Sequence, residues 1–306
     1  MTQFKRKRQI RSKADAILTA DWHIRPDKPI CRTDNFLDAM ERKIDFIFAL
    51  AKEHNCPILE AGDIGHKPQW PNWLLEWFIS KIDEQKIICI PGQHDLPNHR
   101  IDLFEKSGMG VLHAANAIKT IFEPILIDDT FGIFPFPYGK EIEPHKSKGS
   151  PAIAMTHQMV IENKPLWPGQ EAPKGSALLK KHPEYNLILS GDNHNSFTIE
   201  HEGRLLVNPG SMMRTNADQE SHKPRVYLWW AETNTIEAVY LPIEQGVISR
   251  THIEVAKDRE NRNQAFIQRV NSLEGVEIDY EDNLAIYFKK YKTEIAIRNK
   301  TMEAVH

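Results

Sequence analysis

Five short apolar runs, at residues 16–20, 57–61, 87–90, 152–155 and 187–189, each give way at once to a polar cluster. Unbroken apolar runs of this length read as strands buried on both faces, because a strand with one wet face would alternate. Such strands fold stably only as a sheet covered on each side, by helices or by a second sheet. Between the first two runs, residues 34–54 carry Leu37, Met40, Ile44, Ile47 and Ala51 three or four apart, which predicts a helix with Thr33 or Asp34 as its N-cap. A second helix is expected over 72–85, and segments 205–207, 226–230 and 236–241 read as strands of an antiparallel or mixed layer. The fold class implied is α/β, a sandwich with its chemistry on loops at strand ends.

After Pro242 the pattern changes: residues 258–270 read as helical, and beyond Asp282 a charged stretch sets Leu284, Tyr287, Phe288 and Tyr291 at helical spacing. The 306 residues thus divide into a basic arm (1–14), a main domain (15–245) and a small C-terminal unit (246–306). Lys5, Arg6, Lys7, Arg8, Arg11 and Lys13 give the arm +6, and subtracting this from the net −3 leaves −9 on the rest. A body that acidic does not attract polyanions by its average field, so a nucleic-acid substrate needs the arm, bound cations or a local patch. Cys31, Cys56 and Cys89 are odd in number and lack C-x-x-C spacing, which speaks against a disulfide framework or a thiolate zinc site and fits a reducing compartment. No apolar run reaches the roughly 20 residues of a membrane span, and the first thirteen residues lack the apolar core of a signal peptide. A soluble, cytoplasmic protein without membrane partners is expected.

The polar clusters hold the chemistry: Asp21 and His23 in TADWH, Asp63 in AGDIGH, Gln93, His94 and Asp95 in PGQHD, His157 in MTHQ, and Asp192 and His194 in SGDNH. Taken singly, a histidine or aspartate after a strand is most often a cap or a turn residue. Five such loops in succession have another logic. Carboxylates and imidazoles together hold two divalent ions about 3.5–4 Å apart, one carboxylate can bridge them, and a trapped water becomes a hydroxide near neutral pH.

In this order, D-x-H, G-D, G-Q-H-D, H and G-D-x-H, the loops resemble the calcineurin-like metallophosphoesterase signature D-x-H, G-D, G-N-H-D, H and G-H-x-H. TADWH, GDIGHKP, the HQ pair at 157–158 and VNPGS at 207–211 are similar, more narrowly, to the nuclease subunit of DNA double-strand-break repair complexes, called SbcD in bacteria. The resemblance covers residues 15–245 and implies a metallophosphoesterase-type β-sandwich flanked by helices, with a small C-terminal appendage. It implies a first metal held by Asp21, His23, Asp63 and His194, and a second held by Asp63 as the bridge, Gln93, His157 and Asp192. In the family's pattern His94 lies outside the metal shell and protonates the leaving oxygen or stabilises the transition state, and Asp95 orients its imidazole. His66 reads either as a contact to the scissile phosphate or deoxyribose or as a helix-entry histidine beside Lys67 and Pro68. The helices after the second and third motifs, the latter at residues 100–106, form a homodimer interface in that family, where Trp70, Trp73 and Trp77 would lie as a stripe on one helix face.

Two residues depart from the signature: Gln93 stands for Asn, and Asp192 stands for the first His of G-H-x-H. Both fall on the second metal and make it richer in oxygen, which favours Mn²⁺, or Mg²⁺, over nitrogen-preferring ions. The expected activity is hydrolysis of DNA phosphodiesters by a metal-bridged hydroxide, in repair, recombination or replication. A coiled-coil ATPase of the SbcC type is the protein partner the resemblance implies. The competing expectations are a phosphatase or cyclic-nucleotide phosphodiesterase of the same superfamily, and a non-catalytic scaffold with a degraded metal site.

Overall fold

The computed structural model describes residues 13–82, 85–146, 149–271 and 280–304; the basic arm, apart from its last residues, lies outside them. The chain divides into two units, the first ending at Ser249 and the second beginning at Arg250. Residues just past 245 stay with the first because Thr33 N–H donates to Val247 O (3.0 Å) and Ser249 N–H to Cys31 O (2.7 Å).

The first unit contains, in order, β1 (Ala16–Thr19), α1 (Phe36–His54), β2 (Ile58–Glu60), α2 (Asn72–Lys81), β3 (Ile87–Cys89), α3 (Gly108–Ala114), β4 (Lys119–Thr120), β5 (Ile125–Ile127), β6 (Phe131–Phe136), β7 (Ala152–Thr156), α4 (Gly175–Lys181), β8 (Leu187–Ser190), β9 (Phe197–His201), β10 (Arg204–Asn208), β11 (Arg225–Trp230) and β12 (Thr235–Tyr240). They form two six-stranded mixed sheets, ordered β12-β11-β1-β2-β3-β4 and β5-β6-β7-β8-β10-β9. The fold is α/β, two mixed sheets flanked by helices, as the runs of apolar residues imply.

Period-two geometry explains how every residue of an apolar strand is used. Ala16 and Leu18 of β1 join Leu59, Ile153, Leu187, Leu189 and Trp229 in the core between the sheets. Ile17, from the same strand, points the other way and packs with Ile58, Ile87, Met40, Ile44, Ile47 and Phe78 beneath α1 and α2. On the far side Ala152, Ala154, Ile188 and Leu206 pack with Leu178 and Leu179 of α4. Burying a side chain of this size is worth roughly 1.5–3 kcal/mol, so neither face of either sheet can be left uncovered.

Several local expectations are corrected. Asn35, rather than Thr33 or Asp34, caps α1, accepting from Asp38 N–H. The Asp34 carboxylate is held instead by Arg32, whose Nε donates to it at 2.8 Å. Helix α2 ends at Lys81, and Ile82 is already extended. The three tryptophans do not form one face. Trp70 precedes the helix, next to Pro71, where the residue before a proline is biased away from helical geometry. It is buried, while Trp73 is 47% exposed. Residues 101–106 form a 3₁₀ segment, and the regular helix starts only after Ser107, whose hydroxyl caps it through Gly110 N–H.

The second unit consists of α5 (Thr251–Asn271), α6 (Tyr280–Lys290) and α7 (Ile295–Glu303). Phe288 is buried there, and Arg298 donates to its carbonyl at 3.2 Å.

Candidate metal centre

Strands β1, β2 and β3 are mutually parallel, as are β7 and β8, so within each sheet the carboxyl-end loops emerge on one side. The first two loops run side by side: Asp21 N–H donates to Gly62 O (3.0 Å) and His23 N–H to Asp63 O (2.9 Å). Asp21, His23, Asp63 and Asp192 all adopt left-handed backbone, with φ of 53°, 47°, 61° and 73°. Such conformations cost on the order of 1–3 kcal/mol each, persist only where the surroundings hold them, and gather at functional sites.

These loops bring the expected residues together. His23 Nε2 lies 3.0 Å from His194 Nε2, and both nitrogens are 3.8 Å from Asp21 Oδ1. Asp63 Oδ2 stands between two histidines, 3.8 Å from His23 Nε2 and 3.3 Å from His157 Nε2. His157 Nδ1 is 2.6 Å from Ala61 O, a bond that places the proton on Nδ1 and leaves Nε2 as the ligating nitrogen. Gln93 Nε2 donates to Asp192 Oδ1 at 2.6 Å, and Asp192 N–H donates to Asp21 Oδ1 at 3.1 Å.

Among the buried side-chain atoms without a hydrogen-bond partner are Asp21 Oδ2, Asp63 Oδ2, His157 Nε2 and Gln93 Oε1. An orphaned buried polar atom costs about 1–3 kcal/mol. Four of them in one cluster of carboxylate, amide and imidazole donors fit divalent cations. Two sets that contain carboxylates have the required closeness, Asp21 with His23 and His194, and Asp21 with Asp63 and His157; a third, of imidazoles alone, joins His23 to His66 and His94. The electrostatics agree. Burial drives the Asp21 carboxyl well above its usual range, with Asp63 and Asp192 adding to it. Burial opposes a charged His157, but the carboxylates of Asp63, Asp21 and Asp192 outweigh it and hold the imidazole well above normal. The surplus of negative charge draws in a proton where a cation would serve.

His94 and Asp95 sit outside the two sets that contain acids, and only His94 faces them. Its N–H donates to Asp63 Oδ1 (2.8 Å), Nδ1 is 2.9 Å from His66 O, and its ring centroid is 5.0 Å from that of His23. The imidazole is therefore oriented by the His66 carbonyl. Asp95, expected to orient it, does something else. Its carboxylate is buried and accepts from Asp63 N–H (2.8 Å), Gly65 N–H (2.9 Å) and Gly92 N–H (2.9 Å), tying two loops together. The short 3₁₀ turn Gln93–Asp95 folds that side chain back onto its own cap residue, out of reach of the neighbouring ring. His66 stacks beside His94, with centroids 5.6 Å apart and planes at 14°, and burial, Arg25 and His94 bring its pKa down to about 4.

Other supports were not foreseen. Glu60 is fully buried at the end of β2, with Oε2 accepting from Gly62 N–H at 3.0 Å; the signal is a lone charge inside an apolar run. Asn208 donates to Asn193 O (2.6 Å) and Asn195 O (2.7 Å) and so clamps the loop bearing Asp192 and His194. Two glycines are obligatory neighbours: a Cβ on Gly92 would lie 2.1 Å from Asp63 Oδ1, and one on Gly210 would lie 2.6 Å from His194 O, at φ +74°.

The calcineurin-like phosphoesterase family matches residues 16–196, a span that includes every acid, amide and imidazole of the cluster. The chain belongs to this family. As a calcineurin-like phosphoesterase it is a metal-dependent hydrolase of phosphoesters, and its Asp–His cluster has the donors that could hold such ions. Among solved structures it is similar to an archaeal phosphodiesterase, at 15% identity over 74% of this chain and 99% of that one, with a TM-score of 0.40. It is also similar to a protein of Thermus thermophilus, at 13% identity over 76% of this chain and 100% of that one, with a TM-score of 0.48. No curated protein matches it. No helix among the described residues is long and apolar enough to cross a membrane.

Proposed function

We propose that this phosphoesterase is an SbcD-like nuclease that hydrolyses DNA phosphodiesters, with Mn²⁺ as its preferred ion and Mg²⁺ as a substitute. Asp21, His23, Asp63 and His194 would hold the first ion, and Asp63, Gln93, His157 and Asp192 the second. When bound, two such ions polarise the phosphoryl oxygens and activate water at neutral pH.

The observation that carries the choice of diester over monoester is the carboxylate of Asp192, bonded to Gln93 within the cluster. It replaces a neutral imidazole of the family signature with a negative charge. Three carboxylates against two divalent ions leave a net charge of about +1, which a phosphodiester monoanion balances and a monoester dianion exceeds. The same oxygen-rich half favours Mn²⁺ or Mg²⁺ over Zn²⁺.

The chain's own groups then divide the work. His94, with Nδ1 tied to His66 O, presents Nε2 to the leaving oxygen and delivers its proton. Asp95 holds the loops of Asp63 and Gly92 in register and so fixes His94 relative to the cluster. His66, next to His94, lines the entry for the flanking sugar or phosphate.

The test is to incubate Mn²⁺-loaded protein with labelled linear DNA, bis(p-nitrophenyl) phosphate and p-nitrophenyl phosphate. DNA and the diester should be cleaved and the monoester left nearly intact. Preferential monoester turnover would establish a phosphatase, and no turnover of any substrate would point to a scaffold.

A further inference from the structure

We infer that Tyr138 and His99 form a stacking platform for a nucleobase, beside the half of the centre that contains Gln93 and His157. The inference rests on the nucleic-acid reading above and adds a base-binding subsite to it.

Two exposed aromatic side chains meet at this point without contributing to any core. Tyr138 is 38% exposed, His99 is exposed as well, and their ring centroids are 6.0 Å apart with planes at 52°. Both are anchored to the loops that carry the cluster. Tyr138 N–H donates to Pro91 O (3.0 Å), two residues before Gln93, and Phe136 O, two residues before Tyr138, accepts from His157 N–H (3.1 Å). His99 Nδ1 is 3.1 Å from the carbonyl of Gln93 itself.

The backbone is shaped to present these rings. Tyr138 occupies the second position of a tight turn closed by Lys140 N–H to Pro137 O (2.9 Å), with Gly139 at φ +83° in the third. That is type II geometry, which needs a glycine-like third residue. Asn98 and His99 are consecutive non-glycine residues at φ 53° and 57°. His99 N–H to Leu96 O (3.0 Å) and Arg100 N–H to Pro97 O (3.1 Å) hold them there. Strained backbone gathers at functional sites, and here it sets an exposed imidazole against an exposed phenol on loops tied to the cluster. A π-face of this kind suits the flat ring of a base on the nucleotide next to the scissile phosphate. Such stacking contributes on the order of 1–3 kcal/mol per base and tolerates any sequence. Neither residue belongs to the sets that could hold an ion, so the platform acts on binding and leaves the chemical step alone.

The experiment compares diesters with and without a base: the 5′- and 3′-linked thymidine p-nitrophenyl phosphates against methyl p-nitrophenyl phosphate, using the full chain loaded with Mn²⁺. In the wild type, one thymidine ester should have a KM roughly tenfold below that of the methyl ester. Tyr138→Ala should erase that advantage with kcat changed less than about twofold, Tyr138→Phe should keep it, and His99→Ala should reduce it. A wild type with no preference for either thymidine ester, or a preference that survives Tyr138→Ala, overturns the platform. Cleavage of labelled DNA by the wild type is scored in parallel. A base preference without DNA cleavage would sink the nuclease reading and leave the platform standing.

Discussion

In the half of the centre formed by Asp21, His23 and His194 the two imidazoles meet at 3.0 Å and both lie 3.8 Å from Asp21 Oδ1, whereas in the half formed with His157 two side chains, Gln93 and Asp192, are hydrogen-bonded to each other at 2.6 Å. The first half keeps the family's residues and the second changes two of them. Gln93 is one methylene longer than the asparagine of the signature, and Asp192 is shorter than its histidine. A lengthened side chain on one loop therefore meets a shortened one on the facing loop. If the two departures act as a matched pair, the site is retuned rather than decaying, and their coupling is what the experiments must read.

The largest effect is expected where the halves share a wall. Asp63 touches both, at 3.8 Å from His23 and 3.3 Å from His157. Asp63→Asn should empty both positions and lower hydrolysis by on the order of 10⁴ or more, the scale seen when an essential group is lost. Metal analysis showing full occupancy of either half in that variant would break the idea of a shared bridge.

A smaller loss is expected from His94→Ala, roughly 10²–10⁴ in rate with metal content unchanged, because the ring transfers a proton and binds no ion. If one ion per chain disappears, His94 belongs to a metal half and the division drawn above is wrong.

The pair itself can be taken apart next. Asp192→Asn should weaken the second ion by at least the roughly 10–100-fold that loss of an outer partner costs, while the first stays filled. Gln93→Asn with Asp192→His should restore a binuclear site that accepts Zn²⁺ better than the wild type does, and each single change should do worse than the pair. A double-mutant cycle on metal affinity reads the coupling, expected at roughly 0.5–3 kcal/mol. Additive single effects would show the two departures to be independent.

The smallest effect concerns how the first half is braced. Lys43 is buried and donates to Met212 O at 2.7 Å, and Met212 N–H donates to Asp21 O at 3.1 Å. Burial, with Arg32 and Arg214 nearby, brings this lysine down to about 7 from 10.5. A lysine depressed on folding destabilises in full below its folded pKa, and the cost fades as pH rises toward the unfolded value. Between pH 7 and 9 the wild type should therefore gain roughly 2–3 kcal/mol relative to Lys43→Met. Thermal melts of both proteins across that range decide it, and parallel curves would mean Lys43 carries no such burden.

Much of this was legible without coordinates. Helix α1 follows from the spacing of Met40, Ile44 and Ile47, and the five strand-end loops name every member of the metal cluster. Other elements gave no sufficient signal. Strand β6 contains Pro135, which argues against a strand, yet β5 pairs only as far as Ile133, so Pro135 faces a single neighbouring strand and its missing N–H is tolerated. Strand β4 has two residues, too few for any periodicity to register.

What the sequence determined by itself was the chemistry available and the period on which it is carried. Asp, His and Gln recurring after five strands in succession offer a ligand set for hard ions, and apolar runs oblige two-sided burial. What only the tertiary structure decided was which of those groups spend their lone pairs on the protein. The resemblance makes Asp63 a metal bridge and sets Asp95 to orient His94, but in the fold Asp95 is consumed by three backbone N–H groups, whereas Asp63 keeps Oδ2 without a hydrogen-bond partner. The reason is that a ligand is defined by an unsatisfied atom in a shared space, and satisfaction depends on bonds between loops 30 or more residues apart in sequence.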